Sequence, residues 1–121
     1  MESFQQLRVY QLAEKISHEI WFIVKKWDDF AKETMGKQIV RSADSVGANI
    51  AEGHGRYSYQ YNQRFVKIAR GSLNETRHWL RLAYARNLLT QEPSDRLRNK
   101  VRVSSRFLAL AMCGQRGQIG L

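Results

Sequence analysis

A single cysteine, Cys113, and a single proline, Pro93, stand in a chain of 121 residues. One cysteine admits no internal disulfide and leaves no second thiol for an ordinary structural zinc site. Such usage points to a reducing, cytoplasmic setting. One proline leaves little to interrupt long helices. No apolar run approaches the roughly 20 residues that span a bilayer. The opening "MESFQQLRVY" has neither the basic start nor the apolar core of a signal peptide. No P-loop spacing occurs, and no glycine-rich loop follows a strand pattern. His18, His54 and His78 are scattered over three segments without a His-x3-His pair. These absences predict no metal, no cofactor and no catalytic residue.

Acidic residues are scarce in one half only. Residues 1–57 hold 8 Lys/Arg and 8 Asp/Glu, which cancel, whereas residues 58–121 hold 12 Lys/Arg against Glu75, Glu92 and Asp95. The whole net charge of +9 therefore lies in the second half. An imbalance of this kind suits a polyanionic partner, RNA or DNA, and equally a solvated basic face that keeps the protein in solution. A composition 43% hydrophobic and 26% charged fits one globular domain with a modest core.

What is present is helical periodicity. Val9, Leu12, Ala13, Ile16, Ile20, Ile23, Val24 and Trp27 recur at three- and four-residue steps, which predicts a first helix near 6–27. "WDDFAKE" reads as a connection. Met35, Ile39, Ala43, Val46 and Ile50 predict a second helix over 32–53, with Gly53 and Gly55 as its stop. Ser58 is a candidate N-cap for a third helix over 58–87, whose stripe runs from Phe65 through Ile68, Ala69, Ser72, Thr76, Trp79 and Leu80 to Ala83. Pro93 suits the first turn of a fourth helix over 92–112, carrying Leu97, Val101, Ser104, Leu108 and Ala111. The expected fold is all-α, an antiparallel up-down-up-down four-helix bundle over residues 1–112, followed by a flexible glycine-rich tail at 113–121. Because the bundle uses every apolar stripe, no membrane partner is expected.

The stretch "RSADSVGANIAEGHGR" at 41–56 has few large apolar side chains. Its small residues resemble a packing surface more than an active site. Arg41, Ser45, Ala48, Asn49, Glu52 and Gly53 are candidates for helix packing or an oligomer interface, and Gly47 for a close backbone approach. Gly47 in a helix interior costs about 1 kcal/mol relative to Ala. His54 beside Glu52 could suggest acid–base work, but a helix end with a glycine stop explains the same residues.

On the third helix Lys67, Arg70, Arg77 and Arg81 fall within an arc of about 80°, roughly opposite the apolar stripe, at ~100° per residue. The fourth helix adds Arg98, Lys100, Arg102 and Arg106. Arginine suits bidentate contact with phosphate. Lys67, Arg70, Arg77, Arg81, Arg98, Arg102 and Arg106 are thus candidate nucleic-acid contacts. Pairing with acids of a neighbouring subunit, or simple solvation, remains open for the same face. Tyr57, Tyr59 and Tyr61, near Arg56 and Arg64, either cover the bundle end or stack on bases. Trp21, Trp27 and Trp79 read as core or interface.

"QIVRSADSVGANIAEGHGRYS" followed by "RFVKIARGSLNETRHWLRLA" resembles the four-helix bundle proteins encoded within intervening sequences of bacterial 23S ribosomal RNA genes. The resemblance covers about residues 4–90. Its specific parts are "NIAEG" at Asn49–Gly53 and "ARGSLNET" at Ala69–Thr76, in this order and spacing. Relatives often carry a proline before the first motif, where Gly47 stands nearby. In fold and charge the chain is also similar to the basic accessory proteins of diversity-generating retroelements. The resemblance implies a non-enzymatic bundle that assembles into a homo-oligomeric ring, a pentamer. The resulting expectation is a ring that binds nucleic acid, with ribosomal RNA the leading candidate. The alternative is a scaffold that recruits a partner protein.

Overall fold

In a computed structural model, residues 3–55 and 59–113 are described. Four long helices carry the chain: α1 (Arg8–Val24), α2 (Lys37–His54), α3 (Tyr59–Ala85) and α4 (Gln91–Cys113). There is no strand among the described residues.

The stripes expected on α1, α2 and α4 form the core, but the one expected on α3 is rotated. Val66 and Leu73 are buried beside Ala69, Thr76, Leu80 and Ala83, whereas Ile68 of the expected stripe is exposed and Phe65, Ser72 and Trp79 are half-buried. Val9, Leu12, Ala13, Ile16, Ile20 and Val24 are buried on α1, as are Ile39, Ala43, Val46 and Ile50 on α2. Leu73, Leu97, Val101 and Leu108 complete the interior from α3 and α4. Burying one such side chain stabilises the fold by about 1.5–3 kcal/mol before entropy is subtracted.

The contacts between helices give the topology. Moving up one helix means moving down the next: Ser17 donates to the Ala43 carbonyl, and Tyr10 lies against Gly47. Across α2 and α3, Ser42 faces Thr76, Ser45 faces Ser72 and Gly53 faces Asn62. Tyr84 reaches Gln91 and Arg70 reaches Met112 between α3 and α4. Glu19 meets Arg96 and Lys100, which closes α1 against α4. Every neighbouring pair is antiparallel, and the order is up-down-up-down.

Two helix ends differ from the periodicity. Helical backbone begins within "WDDFAKE": the Asp28 carboxylate accepts from the Ala31 amide at 2.9 Å and caps a single turn, Asp29–Ala31. A π-helical turn, Lys32–Gly36, then leads into α2. Gly53 does not stop α2, which runs to His54, and Gly55 at its end has φ −81°, outside the left-handed region. The α3–α4 turn is a Schellman cap. Asn87 takes φ 62°, its amide donates to the Tyr84 carbonyl at 3.1 Å, and the Leu88 amide donates to Ala83 at 2.8 Å. The Trp27 indole donates to the Leu88 carbonyl at 3.1 Å and ties this turn to the end of α1. The candidate cap Ser58 and residues 114–121 of the expected tail lie outside the described residues.

Candidate nucleic-acid interface

The small-residue face of α2 packs on α3 of its own chain. The hydroxyls of Ser42 and Thr76 lie 2.9 Å apart in full burial, with the carbonyls of Ile39 and Ser72 as further acceptors. One turn on, the hydroxyls of Ser45 and Ser72 are again 2.9 Å apart. Asn49 turns back along α2 and donates to the carbonyl and hydroxyl of Ser45 at 2.8 and 3.0 Å. Arg41 pairs with Glu75, whose carboxylate also accepts from the Trp79 indole at 3.0 Å. The tight point is Gly53, where an added Cβ would lie 2.7 Å from Asn62 Oδ1 and 2.9 Å from Phe65 Cβ. At Gly47 an added Cβ would meet the Tyr10 ring at 3.4 Å, an ordinary contact. The close approach expected at Gly47 therefore falls at Gly53. Ala48 and Glu52 are exposed, and Ala48 lies in the lining of the groove between α1 and α2.

The basic residues on α3 and α4 divide into groups. Arg77, Arg81, Arg98 and Arg102 converge on one open groove of about 1210 Å³ between α3 and α4, whose floor includes the buried Leu80, Ser94 and Val101. Arg102 donates to the Asn99 side chain beside it. Arg77, Arg81 and Arg98 make no ion pair with any described residue. Asp95 is the one carboxylate in the lining, and His78 and Tyr84 supply its aromatic rings. Lys67 lies apart, in a shallow depression with Gln60, Gln63, Arg64 and Ile68. Arg70 reaches the Met112 sulfur at 3.4 Å, and Arg106 is exposed one turn beyond Arg102.

Lys100 departs from the expectation of a common basic face. It donates to Glu19 Oε1 at 2.7 Å, and Arg96 holds the other oxygen of the same carboxylate at 2.5 Å. Burial raises the Glu19 pKa, but the hydrogen bonds and charges of Lys100 and Arg96 outweigh it and hold this carboxyl below its ordinary value. The pair serves the α1–α4 contact rather than the groove. The signal was in the sequence: two residues along a helix is a rotation of about 200°, so Lys100 cannot share a face with Arg98.

A second groove, between α1 and α2, is apolar with an acidic rim. Phe4, Tyr10 and Trp21 line it with Gly47, Ala48 and Ala51, while Glu14 and Asp44 stand at its edges. Trp21 is 50% exposed and Phe22 59%. Burial and the neighbouring Glu14 raise the Tyr10 pKa. Of the three tryptophans, Trp27 is buried, Trp79 is half-buried and Trp21 is open. Arg56 and Tyr57 lie outside the described residues, as does the side chain of Tyr59.

No group of three or more His, Cys, Asp or Glu side chains that could hold a metal occurs among the described residues. No helix among them is long and apolar enough to cross a membrane.

Comparison with curated proteins finds no match. A crystal structure of a protein with unknown function from the S23 ribosomal protein family of Bacteroides thetaiotaomicron superposes with a TM-score of 0.77 at 27% sequence identity. That match covers 86% of this chain and 97% of the other. The family described as 23S rRNA-intervening sequence protein matches residues 5–109. Bundle, motifs and match over most of the length agree: the chain belongs to the 23S rRNA-intervening sequence protein family.

Proposed function

We propose that this protein is a non-enzymatic basic bundle that assembles as a homo-oligomeric ring and binds nucleic acid through the α3–α4 groove. The supporting observation is the convergence of Arg77, Arg81, Arg98 and Arg102 on a groove lined by a single carboxylate. Guanidinium forks in such a setting match phosphate oxygens. They position a polynucleotide without reading its sequence. The family's description names 23S rRNA, and the neighbour is assigned to a ribosomal protein family. Ribosomal RNA is therefore the favoured polyanion.

Binding measured across a salt series tests this reading. If all seven candidate cations engage phosphates, affinity should fall roughly 10³-fold or more between about 50 and 200 mM salt. Replacing Arg77, Arg81, Arg98 and Arg102 with Ala together should lower the logarithmic salt slope by about 3, at ~0.7 per phosphate contact on a single strand. An unchanged slope would remove the groove from the account.

Self-association draws its support from the α1–α2 groove. Its exposed Trp21 and Phe22, rimmed by Glu14 and Asp44, complement the Arg64, Lys67 and Ile68 face of α3 on a second copy. Two different patches meeting head to tail generate a ring when the rotation closes. The scaffold reading rests on the same aromatic groove. It predicts that a pull-down recovers one protein and no nuclease-sensitive material.

A further inference from the structure

Building on the nucleic-acid reading, we infer that the α3–α4 groove takes an unpaired strand and that one of its bases stacks on the ring of Tyr84. Tyr84 lies in the lining of this groove and is 42% exposed. Its hydroxyl donates to Gln91 Oε1 at 2.6 Å, and Gln91 Nε2 donates to both oxygens of Asp95 at 3.0 Å. The ring is therefore held at the groove edge by a tether to the first turn of α4. An aromatic side chain fixed in this way offers a flat apolar surface with little entropy left to lose.

The charges give the groove a direction. Arg77 and Arg81 are one turn apart on α3, and Arg98 and Arg102 are one turn apart on α4, a rise of about 6 Å in each case. Phosphates fit there. Asp95 repels phosphate, and it stands beside Tyr84 through Gln91. A backbone lying along the arginines thus passes the Tyr84 end with a base, not a phosphate, turned toward the ring. Asp95 has acceptor oxygens for an exocyclic amino group there, as a carboxylate accepts from cytosine N4. A duplex keeps its bases stacked and cannot supply a free face. Single strands can, and stacking on aromatic rings is how they are commonly held.

Fluorescence anisotropy with a labelled oligocytidylate, and with a hairpin duplex of equal length, tests the inference on the full chain. The single strand should bind at least about 10-fold more tightly than the duplex. Tyr84→Ala should weaken single-strand binding about 5- to 150-fold, the range found for removing one stacked base. Tyr84→Phe, which keeps the ring but loses the tether to Gln91, should weaken binding less than Tyr84→Ala does. Circular dichroism of each variant checks that the exposed substitution leaves the bundle folded. Equal affinity for strand and duplex would overturn the inference. So would a Tyr84→Ala variant that binds like wild type while the four-arginine variant does not, a result that leaves the groove itself standing. Undiminished binding by the four-arginine variant would instead remove the groove from the nucleic-acid reading on which the inference rests.

Discussion

At the scale of single residues, two glycines inside helices differ, one with a packing reason and one with none. Gly53 lets α2 and α3 touch, because any Cβ there meets Asn62 and Phe65 below 3.0 Å. Gly53→Ala is expected to cost about 1–3 kcal/mol through overpacking. Gly71 has nothing within 4 Å of an added Cβ. Gly71→Ala should raise stability by about 0.5–1 kcal/mol, since only chain entropy changes. Denaturant unfolding of the two variants should place them on opposite sides of wild type, and a shift in the same direction would contradict the packing described. Glu19 carries the acid sensitivity of the α1–α4 contact. Its folded pKa lies below its unfolded value. Its contribution is therefore complete above the ordinary glutamate pKa of ~4.3 and is lost as the pH falls through the lowered folded value. In Glu19→Gln the acid limb of a stability–pH curve should flatten, with the difference from wild type shrinking at low pH.

At the scale of elements, periodicity was enough for the four helices, because a stripe at three- and four-residue steps has only one use in a soluble bundle. The ends were less legible. Asp28 caps a turn, but "WDDFAKE" offers no apolar period to announce it, and a cap depends on backbone geometry that sequence does not display. Asn87 makes a similar point. Its left-handed φ of 62° closes α3 and delivers Leu88 to the Trp27 indole. Asn87→Gly should be near neutral or slightly stabilising, whereas Asn87→Ala should cost about 1 kcal/mol, because Ala keeps the Cβ but lacks the short polar side chain that lets Asn tolerate this conformation. Thermal unfolding of both variants checks the order. The polar seam of Ser42, Ser45, Ser72 and Thr76 was visible only as small residues. Which helix they face followed from the register of α2 on α3.

For the whole molecule, the arginine groove lies between α3 and α4, whereas the exposed Trp21 and Phe22 lie on α1. The proposed ring predicts a species larger than a protomer by light scattering, and Trp21→Ala with Phe22→Ala should shift it toward the monomer. A monomer at all concentrations in the wild-type chain would refute the α1–α2 docking surface. Composition, charge asymmetry and apolar period were enough to determine a basic all-α bundle, because each is a local property summed along the chain. The two motifs placed it in its family for the same reason. Tertiary structure alone decided that Arg77 and Arg81 share a groove with Arg98 and Arg102, and that the partner of Lys100 on its other face is Glu19. That outcome depends on how two antiparallel helices are rotated and registered against each other, which no local pattern along either helix specifies.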